Sequence, residues 1–449
     1  VRLVCRMYYE RVGAQGSLPT WRVAQETSGT KRIQAAFLRL MYSRNVKVIL
    51  AGLALLLVLV RATGSFGSAE TGSSAPCTDR PFGNPRPLDL QTSEKVSFVA
   101  LGDWGLDLDA SHDDGPRKDW DMDALQSLAK EMGKTAKSTG ASFVLNLGDN
   151  FYQYGVKSAE DERWKTTYED FFTEEKSLTW YGMLGNHDYK GNLEWEDDSP
   201  ITRTSKVSLN EGMFAQIYRT FHPENKRWCL PSTNYTLEIS AASFDVALVV
   251  FDSQSIARFD PSTDTGAYGN NLIPKAEDQL AWLEDTLCSK YKARARESSR
   301  PLWLFTASHH FAGPSIGNYF DTINFDILPE RVEPILRKCG VHIHFHGHDH
   351  VSQILGIPRA NGSSLLQVGL GCSAKNNGIV HANQFELDEK YPNEFYKILA
   401  ATGESAFGKI SLTKEYAEVE MISAWGKPKF LQQFPYDRNW ASRGTKTGE

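Results

Sequence analysis

Apolar residues gather into six short runs between residues 96 and 345, and the stretches between them are polar or amphipathic. The first run is Val96-Ser97-Phe98-Val99-Ala100-Leu101; the others fall at residues 143–147, 178–184, 244–251, 302–306 and 341–345. Runs of this length predict strands buried on both faces. Residues 121–137 place Met122, Leu125, Leu128, Met132 and Ala136 near the helical period and stop before Gly140, which predicts a helix. Residues 274–288 begin at Pro274, suited to a first helical position, and set Leu280, Leu283 and Leu287 on one stripe. Residues 329–339 do likewise with Val332, Ile335 and Leu336 and end at Gly340. Strands alternating with helices predict an α/β fold in which helices cover a largely parallel sheet.

Each apolar run leads into a polar residue. Asp103 comes after the first run, Asp149 after the second, Asn186 after the third, Asp252 after the fourth, His309 after the fifth and His348 after the sixth. The carboxyl ends of strands in open α/β sheets form the crevice where ligands bind, so these side chains are expected to converge. The pieces read Gly102-Asp103-Trp104-Gly105, Gly148-Asp149-Asn150-Phe151-Tyr152, Gly185-Asn186-His187-Asp188, Ser308-His309-His310 and Gly347-His348-Asp349-His350. Carboxylate, phenol, amide and imidazole donors together suit two adjacent metal ions. Ions about 3.5–4 Å apart clamp a phosphoryl group and ionise a bridging water, and Asp149 is the natural bridging carboxylate. His348 and His350 lie two apart; an extended segment puts them on one face, whereas a turn lets each reach a different ion.

The net charge of −6 excludes nucleic acid as a partner, since phosphate backbones recruit basic surfaces. The amino-terminal part differs from the rest. Residues 1–40 lack apolar periodicity and are expected to be an extension absent from the mature protein. Within residues 41–69, Arg44 and Lys47 precede an apolar run from Val48 to Val60 and small residues beyond it, the pattern of a secretory signal peptide. An uncleaved signal anchor is the alternative. The run is shorter than the roughly 20 residues of a membrane span, and no apolar run near the carboxyl end predicts a second anchor. Residues 70–94, rich in Gly, Ser, Thr and Pro, read as a linker, 95–430 as a single catalytic domain and 431–449 as a tail. Secretion agrees with two glycosylation acceptor patterns, at Asn234 and Asn361. Cys77, Cys229, Cys288, Cys339 and Cys372 allow one or two disulfides and leave at least one thiol unpaired.

The five pieces, in this order, resemble the motifs of the purple acid phosphatases, within the calcineurin-like metallophosphoesterases. The Gly-Asp-Trp-Gly and Gly-Asp-Asn-Phe-Tyr forms resemble the small, tartrate-resistant type. The resemblance runs from about Val96 to Trp425 and implies a four-layer α/β/β/α sandwich. It implies Fe(III) held by Asp103, Asp149, Tyr152 and His350, and a divalent ion (Fe, Zn or Mn) held by Asp149, Asn186, His309 and His348. Tyr152 discriminates, because phenolate favours a hard ferric ion and would colour the protein purple. His187 is implied to face the substrate, contacting phosphate or protonating the leaving oxygen, with Asn186 beside it. Asp188 could orient its ring. The implied reaction is hydrolysis of phosphate monoesters, on phosphorylated small molecules or phosphoproteins, at acidic pH.

Three features depart from the family pattern or add to it. A His that small members carry nine residues after the counterpart of His309 is Asn318 here; His310 is either a substitute proton donor or a locally packed ring. His342, His344 and His346 alternate ahead of the last piece and are expected to be strand histidines rather than a third metal site. His112-Asp113-Asp114 is expected to be a solvated loop. Two other readings compete: a phosphatase-like structural membrane receptor of the gliding-motility type, and a related phosphodiesterase or nucleotidase, against which Tyr152 argues.

Overall fold

The computed structural model describes residues 77–106, 121–152, 155–189, 211–257, 275–317, 327–359, 364–374 and 396–441, apart from Arg80 and Arg438. The expected extension and signal segment, the His112 segment, Asn318 and the acceptor Asn361 lie outside the described residues.

All six predicted strands form, but they divide between two sheets. The strands are β1 (Leu88–Leu90), β2 (Val96–Leu101), β3 (Phe143–Asn146), β4 (Thr179–Gly182), β5 (Trp228–Cys229), β6 (Tyr235–Ala241), β7 (Asp245–Val250) and β8 (Leu302–Ala307). They continue with β9 (Ile343–His346), β10 (Ser352–Pro358), β11 (Ser364–Leu370), β12 (Lys397–Thr402), β13 (Ala406–Leu412), β14 (Tyr416–Ser423) and β15 (Pro428–Pro435). One sheet runs β15-β14-β13-β2-β3-β4-β5 and the other β1-β6-β7-β8-β9-β11-β10-β12. Pairing is parallel along β2-β3-β4-β5 and β7-β8-β9-β11, and antiparallel in β13-β14-β15, β10-β11 and β6-β7. The largely parallel sheet read from the alternation is thus two mixed sheets, the pair that the four-layer sandwich requires. Alternation of strands and helices is the same for one sheet as for two, because pairing is decided between distant segments.

The layers arise from side-chain alternation. In β7, Val246, Leu248 and Val250 enter the core between the sheets, while Ala247, Val249 and the following Phe251 face outward onto Leu280, Leu283, Leu287 and Leu336 of the covering helices. Across the inner core Phe98 of β2 meets Phe345 of β9 edge-on at 5.9 Å between ring centres. The helix Met122–Thr139 covers the other sheet with Leu125, Leu128 and Met132 buried. The arrangement is the α/β/β/α sandwich implied by the resemblance. That helix starts where Asp121 accepts a hydrogen bond from the Ala124 N–H (2.8 Å) and ends at Gly140, whose φ of 62° suits glycine. The segment predicted as one helix over 329–339 is two, Ile327–Arg331 and Glu333–Cys339. Pro334 has no N–H to continue the ladder between them.

Both ends of the described chain are built into the domain. Residues 70–94 read as a linker, yet Cys77 is bonded to Cys229 and β1 pairs with β6. Part of the expected tail completes β15, and Trp440 is buried against His342. A three-residue strand among prolines leaves no periodic signal to read. A second disulfide joins Cys288 to Cys339, and Cys372 is a buried thiol.

Candidate metal centre

The loops after β2, β3, β4, β8 and β9 meet at one rim, laced together by their own backbones. Asp103 N–H donates to Gly148 O (2.9 Å), Tyr152 N–H to Gly105 O (2.7 Å) and Gly347 N–H to His309 O (2.9 Å). His348 N–H donates to Asp103 Oδ2 (2.9 Å). Five described non-glycine residues have positive φ, and four are candidate donors: Asp103 (58°), Asp149 (52°), His348 (73°) and His350 (50°). Each such residue costs roughly 1–3 kcal/mol and persists only where its surroundings over-determine it. Glycine is required alongside: a Cβ on Gly185 would lie 2.1 Å from Asp149 Oδ1, and one on Gly347 2.5 Å from Asp103 Oδ2.

The donors fall into two groups. In the first, Tyr152 OH lies 3.2 Å from Asp103 Oδ1 and 3.2 Å from His350 Nε2, and the latter two atoms are 3.4 Å apart. In the second, Asn186 Oδ1 lies 3.0 Å from His348 Nδ1 and 3.2 Å from His309 Nε2, which are themselves 3.3 Å apart. Asp149 Oδ1 is 3.4 Å from His309 Nε2. Ligands at about 2.1 Å from one ion stand roughly 3.0–3.4 Å from each other, so both spacings fit an ion at the centre of each group. The charge balance fits as well. Asp103 and Asp149 are buried, and among the described residues neither pairs with a Lys or Arg. Burial opposes charge on His309, yet Asp149 and Asp103 raise its ring to about 10. Burial likewise pushes Asp149 up, and the rings of His309 and His187 outweigh it, holding that carboxyl well below the usual range. His309 Nδ1–H donates to Leu147 O (2.8 Å), which leaves Nε2 turned to the site.

The remaining sequence candidates separate by burial. The His187 side chain is 22% exposed, its Nε2 4.0 Å from Asp149 Oδ2 and its ring edge-on to Tyr152 at 4.6 Å. Asp188 is buried and accepts the N–H groups of Gly185 (2.7 Å), Asn150 (2.9 Å) and Phe151 (3.2 Å) and the Gln216 amide (2.9 Å). Those bonds splice the second and third loops together, a different task from orienting the His187 ring. His310 is fully buried behind His348, 4.3 Å between ring centres, with Nδ1 2.8 Å from Ser253 Oγ. Of the two roles read from the sequence, local packing is the one this burial favours, although a ring nitrogen of His310 still lies within 4.8 Å of donor atoms of His309 and His348. Asp252 caps the following turn through the Gln254 N–H (2.9 Å) and does not join either donor group. His344 is a buried strand residue and His342 is buried just ahead of β9; burial pushes both down to about 3, and Leu304 N–H and Thr306 Oγ1 sit at their Nδ1 atoms.

A chain of buried amides beneath the rim links Trp104, Asn150 and Asp188 of the motifs through Asn146 and Gln216, which lie outside them. Trp104 Nε1–H donates to Asn146 Oδ1 (2.8 Å), Asn146 Nδ2 to Asn150 Oδ1 (2.6 Å), and Asn150 Nδ2 to Gln216 Oε1 (2.9 Å), which continues to Asp188. Arg163 adds hydrogen bonds to Tyr152 O (2.6 Å) and Gly155 O (2.9 Å). Asn146 carried a signal, an amide inside an apolar run; Gln216 and Arg163 carried none.

Residues 96–352, more than half the chain, match the family described as calcineurin-like phosphoesterase. Human tartrate-resistant acid phosphatase type 5 is 28% identical over 347 residues, covering 76% of this chain and 91% of that protein. Purple acid phosphatase 17 of Arabidopsis thaliana is 28% identical over 261 residues, 58% of this chain and 63% of that protein. In fold the chain is similar to GAP50, the anchor in the inner membrane complex of Plasmodium. That likeness has a TM-score of 0.51 at 17% identity, over 76% of this chain and 89% of that one. The chain belongs to the calcineurin-like phosphoesterase family and resembles, within it, the purple acid phosphatases of the tartrate-resistant type.

Proposed function

We propose that this chain is a purple acid phosphatase that hydrolyses phosphate monoesters. The observation that carries the reading is the pair of donor groups, one bearing the Tyr152 phenol and one rich in imidazole, with an Asp149 carboxylate oxygen within 4.8 Å of a donor atom of Asp103 in the first and of His309 in the second. Asp103, Asp149, Tyr152 and His350 would hold Fe(III); Asp149, Asn186, His309 and His348 would hold a divalent Fe, Zn or Mn. When bound, such a pair acidifies water and stabilises charge developing on the phosphoryl group. The chain's own residues do the rest. His187, half-buried at the open side, binds the phosphate or carries the proton to the leaving oxygen, and Asn186 lies beside it. Asp188 and the amide chain hold the loops in place, and Ser253 with His310 backs the His348 ring.

A secretory location suits two disulfides, which form in oxidising compartments. Among the described residues no helix is long and apolar enough to cross a membrane. The test is metal analysis and a visible spectrum of the purified protein, with a pH profile on an aryl phosphate. A purple, iron-containing, acid-active sample supports the proposal. A metal-loaded but inactive sample transfers support to the receptor reading, and a metal-free inactive one sinks the site.

A further inference from the structure

A groove of about 430 Å³ shares no residue with the metal centre and opens beside Asn234, lined by Phe82, Asn84, Ser232, Trp282, Thr286 and Lys290. Asn234 is the acceptor residue of Asn234-Tyr235-Thr236 and stands half-exposed at the step into β6. Its Oδ1 accepts a hydrogen bond from Thr233 Oγ1 (3.3 Å), while its Nδ2 makes none among the described residues. Phe82 is the fifth described non-glycine residue with positive φ, 59°, and the one that lies away from the metal centre. The strained backbone is pinned by its own N–H to Pro231 O (2.7 Å), and the disulfide from Cys77 to Cys229 ties down the segment before it. The outcome is a phenylalanine 56% exposed to water at the groove's edge. Strain held at one surface aromatic points to a ligand rather than to packing.

We infer that Asn234 carries an N-linked glycan and that its first sugars lie in this groove. A pyranose ring presents an apolar C–H face and a rim of hydroxyls. Phe82 and Trp282 supply aromatic surface for the face, and Asn84, Ser232, Thr286 and Lys290 supply polar partners for the rim. Tethering to Asn234 makes the contact intramolecular, so weak individual contacts suffice. Both disulfides place folding in an oxidising compartment, where Asn-X-Thr is modified. In the transfer, Asn234 Nδ2 loses a proton and bonds the anomeric carbon of a lipid-diphosphate-linked oligosaccharide. The bond from that carbon to the diphosphate oxygen breaks, and the diphosphate leaves with the electron pair.

The full chain, secreted from a glycosylating eukaryotic host, is digested and its Asn234 peptide weighed before and after amidase removal of N-glycans. Release of the glycan from the native protein is then timed for wild type and for Phe82→Ala, whose unchanged melting curve shows it folded. Asn234 is expected to be occupied, and the glycan to leave Phe82→Ala about tenfold faster than wild type, with equal rates once both are denatured. An unmodified Asn234, or equal rates from the two native proteins, overturns the inference.

Discussion

Adding one methyl group at Gly185 tests whether Asp149 is the shared ligand. The backbone there is open to any residue, so Gly185→Ala perturbs by sterics alone. The new Cβ would stand 2.1 Å from Asp149 Oδ1, 2.3 Å from Asp149 N and 2.8 Å from its Cγ. To regain ordinary contact the carboxylate must retreat by about 1 Å, and misplacement on that scale costs about 100-fold in rate. Overpacking of a close-packed site costs about 1–3 kcal/mol in stability besides. Gly356→Ala is the control, because its Cβ meets nothing nearer than 3.8 Å. Hydrolysis of an aryl phosphate, metal content per chain and urea unfolding are measured on both variants. Gly185→Ala is expected to lose about two orders of magnitude in kcat and part of its metal, and Gly356→Ala to match wild type. Wild-type kcat and metal content in Gly185→Ala would refute the bridging assignment.

Tyr152→Phe removes the hydroxyl 3.2 Å from Asp103 and from His350 while keeping the ring, so the visible band should vanish with the fold intact; a coloured variant refutes phenolate ligation. His187→Ala should lower kcat by about 10²–10⁴-fold, as loss of a proton donor does, and leave colour and metal content unchanged. Loss of colour would show that the ring supports the ferric site instead. His342 and His344 bind protons less readily folded, at about 3, than unfolded, at 6.5. Their contribution is therefore full above pH 6.5 and declines as pH falls toward 3, by about 2 kcal/mol per ring at pH 5. Urea unfolding at pH 7 and pH 5 should show that loss shrinking by about 2 kcal/mol in His342→Gln, and equal losses in variant and wild type would contradict it.

The parts legible in sequence were those whose signal is local. β2, β3, β4, β7, β8 and β9 announce themselves as apolar runs, and each donor sits a few residues past a strand, where a crevice forms. β14 alternates over most of its length and β15 half-buries alternate residues, and period-two alternation is a weaker mark than a continuous run. Which sheet a strand joins was not legible, because β13 lies beside β2 across three hundred residues of chain. The same distance hides the supporting amides: Gln216 reaches Asn150 and Asp188 from another element, and nothing in its neighbourhood marks it. His310 shows the limit from the other side. Its adjacency to His309 left chemistry and local packing equally open, and only the fold shows the ring buried beside Ser253.

Each donor group is split between the two sheets. Asp103 and Tyr152 hang from one and His350 from the other; Asn186 and Asp149 from one, His309 and His348 from the other. Half a molecule therefore owns half of two sites and none complete. Ions held by these groups would act as rivets through both leaves of the sandwich, and the nascent chain could not fasten them until His350 had been synthesised. Chelation should then loosen the leaves as well as silence the chemistry, and the melting curve becomes a second readout of metal occupancy.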